Sequence, residues 1–231
     1  MMLFIVDALN RDKYWPLLDE MFKLRARVFN DRLGWDVTVE NGMEIDEFDS
    51  LDPAYVIGLD ASGEVISCVR ALQTTGSHML SDVFYDILGG QPPLRSATLW
   101  ESTRFCVDTT KLQGRSESVS HAMCEIMIGS LEYAMRSGIE DIVTVIDPII
   151  DRLLKRTDNA PYDYVGEKVK IGKTYALAAL LDCTKERIDR VRDFAGIYDD
   201  VFLSEERVDA LVPTGYVPTP VPYQFNAMGA M

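Results

Sequence analysis

The order in which the hydrophobic repeat changes along the chain limits its fold more than any other feature. Met1 to Asp7 reads as a first strand, and Leu17, Leu18, Met21, Phe22, Leu24 and Val28 then recur at spacings of three and four, which predicts a helix over 12–31. An irregular acidic stretch, Gly34 to Pro53, leads to two strand-like runs, Ala54–Leu59 and Glu64–Leu72, joined by the polar turn Asp60-Ala61-Ser62-Gly63. A loop over 76–97 carries Gly89-Gly90 and Pro92-Pro93, and Thr98–Val107 follows as a strand. Val119, Met123, Ile126, Met127, Leu131 and Ala134 mark a second long helix closed by Gly138. The rest reads as a strand at Ile142–Ile146, a helix near 148–156, strands near 163–170 and 174–182, and a last helix capped by Thr184. Strands and helices interleaved in this way predict a mixed sheet flanked by helices, a three-layer α/β/α architecture. The whole chain, 1–231, is expected to form one domain, with an irregular tail from about 205 marked by Pro213, Pro218, Pro220 and Pro222.

A 47% hydrophobic fraction supplies a core of that size. No apolar run approaches the ~18 residues of a membrane helix. Asp7 brings a charge too early for a secretory leader. The four cysteines, Cys68, Cys106, Cys124 and Cys183, are widely spaced and form no CxxC pair, so they read as buried thiols of a cytoplasmic protein, with no metal site or disulfide framework. The net charge of −14 argues against nucleic-acid binding, since phosphates would be repelled. It equally requires any acidic protein partner to find a local basic face. Arg152, Lys155 and Arg156 on one short helix, with Lys168, Lys170 and Lys173, form the densest basic cluster, for which the plainer reading is a solvated surface.

Four further pieces stand out: Arg25-x3-Phe29-x5-Trp35 off the end of the first helix, the acidic run Glu44-Ile45-Asp46-Glu47-Phe48-Asp49, Arg70 in the second hairpin strand, and Trp100-Glu101-Ser102-Thr103-Arg104-Phe105. On these residues the sequence resembles the LuxI-type acyl-homoserine-lactone synthases, over roughly 3–185 and most strongly in the first 110 residues. The family's charged signature is matched by Arg25, Glu44, Asp46, Asp49, Arg70, Glu101 and Arg104, and its aromatic trio by Phe29, Trp35 and Phe84. The resemblance implies a GNAT-like fold and a cytoplasmic acyltransferase of quorum sensing. Such an enzyme carries an acyl group from acyl carrier protein to the amine of S-adenosylmethionine, closes the lactone and releases methylthioadenosine. The resemblance implies no cofactor, because S-adenosylmethionine is itself a substrate, and no stable membrane association.

The residues suit that chemistry in their own right. S-adenosylmethionine carries a sulfonium, an amine and a carboxylate, so its site needs anions, a cation and an aromatic surface, which the acidic run, the arginines and Phe29 with Trp35 supply. The plainer readings are a solvated acidic loop and packed core aromatics. Amide formation requires a neutral amine and a stabilised oxyanion, for which Glu101 is the candidate base and Arg104 its charged neighbour. Lactone closure is intramolecular and depends mainly on positioning. No nucleophile triad is visible, and His78 and His121 read as structural.

An acyl chain needs an apolar lining, for which Met79, Phe105, Met123, Met127, Ile142, Ile146, Leu154 and Leu177 are candidates, with no obvious bulky stopper. By the resemblance, Thr144 goes with 3-oxo-acyl donors, so a 3-oxo product of medium to long chain is expected; Thr103 stands where the family often has serine. The alternative is a CoA-dependent N-acyltransferase of the GNAT type. Against it, Val107 to Ser116, where such enzymes cradle a pyrophosphate, keeps only Gly114. A binding module without activity is the other rival, and intact Glu101 and Arg104 argue against it. Strand alternation would put Glu101 and Arg104 on opposite faces, so a bulge or broken ladder is expected within 100–105, bringing both to one polar cavity touched by Asp46 or Asp49.

Overall fold

Those patterns resolve, in a computed structural model describing residues 1–112, 119–172, 174–212 and 216, into interleaved strands and helices. Strand β1 (Met2–Val6) leads to helix α1 (Trp15–Arg25), which widens into a π-helical segment, Ala26–Arg32. A short hairpin follows, β2 (Val39–Glu40) and β3 (Met43–Glu44), then a 3-10 turn at Glu47–Ser50. The long hairpin is β4 (Ala54–Leu59) and β5 (Val65–Gln73). Helix α2 (Met79–Asp82) and a 3-10 turn at Tyr85–Leu88 precede β6 (Leu99–Val107) and α3 (Val119–Arg136). The remainder is β7 (Asp141–Ile146), α4 (Pro148–Arg156), β8 (Asp163–Ile171), β9 (Thr174–Asp182), α5 (Lys185–Ala195) and α6 (Glu205–Asp209).

Seven strands make one mixed sheet in the order β1-β4-β5-β6-β7-β9-β8, in which only β6 and β7 run parallel. Alternate residues feed the two flanking layers. Phe4, Tyr55, Ile57 and Cys68 pack with Leu18, Met21 and Phe22 of α1, whereas Leu3, Val56 and Val69 pack with Cys124, Ile128 and Leu131 of α3 and Val191 of α5. Helix α3 sits close on β1 because Gly129 leaves room: a Cβ there would stand 2.2 Å from Leu3 Cδ1. The outer edge of β1 is covered in turn by residues 201–203, with Leu3 N donating to Val201 O at 2.7 Å and Leu203 N to Leu3 O at 2.8 Å.

Two departures from a regular sheet matter for the site. First, β6 and β7 pair only from Leu99↔Asp141 to Ser102↔Thr144, and beyond those residues they part. Second, the expected bulge is present. Cys68 faces Cys106 and Arg70 faces Thr103, so Val69 alone on β5 stands against both Arg104 and Phe105 on β6. Arg104 there takes a left-handed φ of 53°, which costs a non-glycine residue about 1–2 kcal/mol.

Several sequence expectations are corrected. The helix expected to 31 stops being α-helical after Arg25, because the i, i+3, i+4 repeat does not separate an α turn from the wider π turn. The loop over 76–97 contains α2, whose leading amides are held by Glu101. The tail is not irregular from 205: α6 buries Val208 in the α1 core, and Tyr14 Oη donates to Asp209 at 2.9 Å. Of the expected tail prolines, Pro213, Pro218, Pro220 and Pro222 lie outside the described residues, as do Lys173 and residues 113–118 of the candidate phosphate loop. All four cysteines are buried and free, and Thr184 caps α5 through Arg187 N as expected. Among the described residues, no helix is long and apolar enough to cross a membrane.

Candidate active site

The charged signature is assembled by four pieces of chain that meet on the α1 side of the sheet. Arg25, at the last turn of α1, donates Nε to Glu44 at 2.5 Å and grips Asp49 with both terminal nitrogens at 2.8 and 2.9 Å. Arg70, on β5, reaches Asp46 at 2.5 and 3.0 Å, Asp49 at 2.7 Å and the Thr103 hydroxyl at 3.0 Å. Arg104 donates to Glu44 at 2.9 Å and to Asp46 at 2.8 Å. Tyr55 Oη adds a 2.7 Å bond to Asp49, a partner that no sequence signal marked. The acidic run is braced locally, since Asp46 caps the turn through Phe48 N and its own amide donates to Asp49.

Three guanidinium groups thus balance three carboxylates, and the six are unequal in access. Arg25, Arg70, Glu44 and Asp49 are sealed from solvent, whereas the Arg104 and Asp46 side chains keep 10% and 13% exposure. Burial alone would raise the carboxyls of Glu44 and Asp49; their arginines outweigh it, lowering Glu44 through Arg25 and Arg104, and holding Asp49 well below the carboxylate range through Arg25 and Arg70. The buried four therefore form a fixed frame, and Arg104 with Asp46 is the pair a ligand can reach.

Glu101 is fully buried, and its two oxygens accept the amides of Met79 and Leu80, both at 2.7 Å. Burial pushes its carboxyl up to about 7, against the opposing pull of those two amides and of Arg70. The Met79 sulfur completes the link, accepting from Arg70 Nη2 at 3.3 Å and Arg104 Nη1 at 3.7 Å. Glu101 and Arg104 are thereby linked through Met79, with Asp46 on the far side of Arg104; the expected bulge is there, but the two charged groups are bridged by a methionine and do not meet in the one polar cavity that was expected. Neither histidine enters it. His78 is buried and leads into α2, with Nδ1 at 3.0 Å from Gly76 O.

Phe29 and Trp35 stack at 5.0 Å with 22° between their planes, and the Arg104 guanidinium lies 5.6 Å from the Phe29 ring. The π turn makes this possible, carrying Phe29 inward and returning the chain so that Trp35 N donates to Phe29 O. Phe29 is buried, while Trp35 is 49% exposed and offers a ring face. Phe84 stands apart from this pair, packed with Phe48, Leu72 and Met79.

The expected acyl lining divides between the two faces of the sheet. Met79 and Thr103 belong to the ion-network side, where Thr103 accepts from Arg70. Phe105, Met123, Met127, Ile146, Leu154 and Leu177 pack together on the α3 side, with Ile142 in the neighbouring cluster. Thr144 does not present a free donor, because its hydroxyl donates to Ser102 O at 3.0 Å.

Arg152, Lys155 and Arg156 are exposed on α4, and Lys168 and Lys170 are exposed on β8. Lys155 lies 5.4 Å from the Tyr164 ring, a contact between α4 and β8, and Lys168 lies 4.7 Å from the Tyr175 ring, a contact between β8 and β9. Lys155 is also paired with Asp151 at 2.8 Å. Among the described residues no group of three or more His, Cys, Asp or Glu could hold a metal.

A mixed sheet with a parted central pair and a polar cluster beside the gap defines a GNAT-like acyltransferase fold. The similarities agree: solved structures of acyl-homoserine-lactone synthases superpose on the chain. LasI does so with a TM-score of 0.71 at 32% identity, covering 88% of this chain and 98% of its own. MesI, a CoA-dependent synthase, gives 0.75 at 28% identity, covering 87% and 98%. Residues 10–191 match the autoinducer synthase family model, and the acyl-homoserine-lactone synthase of Rhizobium radiobacter is 37% identical over 175 residues, 75% of this chain and 82% of that protein. The Pseudomonas aeruginosa enzyme is 35% identical over 170 residues, 72% and 82% of the two chains. The chain belongs to the autoinducer synthase family, and its activity is that of an acyltransferase making acyl-homoserine lactones for quorum sensing.

Proposed function

We propose that the acyl donor is an acylated acyl carrier protein, docked on the basic face of α4 and β8, and that S-adenosylmethionine lies against Arg104, Asp46 and the Phe29–Trp35 stack. Glu101 accepts a proton from the substrate ammonium, directly or through a water, freeing the amine. The amine nitrogen attacks the thioester carbonyl, the carbon–sulfur bond breaks, and the carrier leaves as a thiol. The carboxylate oxygen then attacks the methylene carbon attached to the sulfonium. That carbon–sulfur bond breaks, its electron pair stays on sulfur, and neutral methylthioadenosine departs. The reading calls for no metal or cofactor. It puts the enzyme in the cytoplasm with its substrates, in keeping with four free cysteines.

The observation that carries this reading is the selective access of the ion network. Its two solvent-touching members are Arg104, on the stretch of β6 beyond its last pair with β7, and Asp46, which Arg104 holds; Arg104 Nη1 also lies 3.7 Å from the Met79 sulfur. An acyl group passing through the gap and an aminoacid portion held by Arg104 and Asp46 would meet there. Carrier protein is acidic, and the α4 and β8 cations provide on a −14 chain the local face it needs.

Acyl-CoA as donor is the second reading, favoured by the similarity to the CoA-dependent MesI. The purified chain, given S-adenosylmethionine and the same acyl group on either carrier, tests both. Carrier-protein dependence is expected as a higher kcat/KM for the protein-bound donor, read as methylthioadenosine release. An equal or higher value with acyl-CoA overturns it.

A further inference from the structure

The turn that precedes α2 is held from two sides. Gly76 O accepts from Arg95 Nη1 at 2.5 Å, and the same nitrogen reaches Thr75 O at 3.1 Å. From the buried side, His78 Nδ1 lies 3.0 Å from that Gly76 oxygen. A carbonyl only accepts, so Nδ1 carries the ring proton. Ser81 closes the first turn of the helix, with Oγ 3.2 Å from Nδ1 and its amide donating to His78 O at 3.1 Å. The two amides that follow the histidine, Met79 N and Leu80 N, are the ones Glu101 accepts.

His78 is fully buried, and among the described residues its Nε2 has no hydrogen-bond partner. An apolar side chain fills such a space without that cost, so packing alone does not account for an imidazole here. What the ring adds is the Nδ1–H bond across the turn. It makes that bond in the neutral form. Burial lowers the pKa of the imidazole and Arg95 lowers it further, against the Gly76 bond and Asp82.

Glu101 depends on the two amides. Its register neighbours on the sheet, Leu72 of β5 and Val143 of β7, are buried and apolar. The charged groups acting on it are Arg70 from β5, which favours the carboxylate, and Asp82 from α2, which opposes it. Burial raises its carboxyl to about 7, and Met79 N and Leu80 N are the largest pulls the other way. Contacts therefore run without a break from Arg95 and His78, through the turn and its amides, to the carboxylate.

We propose that His78 is a positioning residue for the reaction: by holding Gly76 it aims the Met79 and Leu80 amides at Glu101 and keeps that carboxylate set to take the substrate's proton. The proposal rests on the reading of Glu101 as the base. His78 touches no substrate and acts only through α2.

The test is the pH dependence of kcat/KM for the acyl donor in the full chain, read as methylthioadenosine release, with thermal melts beside it. Glu101→Gln first identifies the acid limb that belongs to Glu101. His78→Leu removes the Nδ1–H donor. With the amides out of line, Arg70 alone is left to oppose burial, and the limb should move up by about one pH unit. The loss of rate is then about fivefold near pH 7 and nearly absent by about pH 8.5. His78→Asn, whose side-chain amide can donate to Gly76 O, should keep the limb near its wild-type place. Arg95→Met, at an exposed position, loosens the same turn from outside and should move the limb the same way by less. A loss equal at every pH overturns the proposal and leaves His78 as packing. So does an unmoved limb in His78→Leu, or in Arg95→Met should the former not fold. If the wild-type limb survives in Glu101→Gln, Glu101 is not the base, and the proposal falls with that reading.

Discussion

Thr103 and Arg104 are neighbours in sequence, yet both side chains serve the same side of the sheet: Thr103 accepts from Arg70 at 3.0 Å, and Arg104 shares Asp46 with that same arginine. The bulge on β6 does this by adding one residue against Val69. Phe105 is thereby returned to the α3 side and Arg104 is placed over the polar cluster. Arg104→Lys should lose the forked contact to Glu44 and Asp46 while keeping the charge. A fall in kcat/KM of about 10–100-fold is expected, the worth of a charge-assisted hydrogen bond. Methylthioadenosine release beside a thermal melt checks it; wild-type turnover would remove Arg104 from the site.

Glu101 links pH to both activity and stability. With its carboxyl at about 7, kcat/KM should climb as pH rises to that value and level off above it, and Glu101→Gln should lose that limb along with about 10²–10⁴-fold in rate. The sign for stability is the reverse. Its folded value lies above the ordinary 4.5, so the group favours the fold below 4.5 and loses that contribution as pH rises toward 7. Comparing denaturation midpoints of wild type and Glu101→Gln across this window should show a falling difference; a flat one would contradict the raised value.

Asp49 and Asp46 should separate frame from ligand site. Asp49→Asn leaves Arg25 and Arg70 short of a buried counter-charge and should cost about 3–5 kcal/mol of stability, read by chemical denaturation. Its carboxyl is held below 3.8, so that stabilisation is present above 3.8 and is lost as pH falls further. Asp46→Asn, at the exposed end, should act mainly on the KM for S-adenosylmethionine. Equal loss of stability in both variants would erase the distinction.

Reversing Arg152 and Arg156 to Glu tests docking. Exposed charges act chiefly on encounter, so the KM for the carrier-bound donor should rise and its salt dependence weaken, with the KM for S-adenosylmethionine little changed. Unchanged donor kinetics would move the docking face elsewhere.

Thr144→Val tests recognition of a 3-oxo group. The hydroxyl proton now goes to Ser102 O, so it must turn to serve a ligand carbonyl. If it does, the preference for 3-oxo over unsubstituted donors should drop by about 1–2 kcal/mol. An equal loss with both donors would mark the hydroxyl as a strap between β6 and β7.

Much of this was legible in the chain. The long elements announced themselves because their repeat persists over several turns or pleats, as in α3 and the β4–β5 hairpin. The bulge was legible through a conflict: two charged residues of one signature, three apart on a strand, cannot share a face in a regular ladder. What escaped has physical causes. The β2–β3 hairpin has only two residues per strand, although Asn41-Gly42 at its tip, with φ of 52° and 77°, carries the turn signal that would have found it. Helix α2 is a single turn organised by a carboxylate 21 and 22 residues beyond the two amides it holds. The Trp100–Tyr133 ring contact joins β6 to α3, so neither repeat nor spacing could pair them.

The strip over 201–203 that covers β1 has a consequence for how the molecule is made. Translation delivers β1 before any other strand and its outer neighbour after all of them, so β1 waits through nearly the whole synthesis with one side bare. An unpaired strand edge is the surface through which nascent chains stick to one another. The ribosome's pace between β1 and Leu203 is therefore the interval in which this protein is most open to aggregation, and the arrival of residues 201–203 ends it.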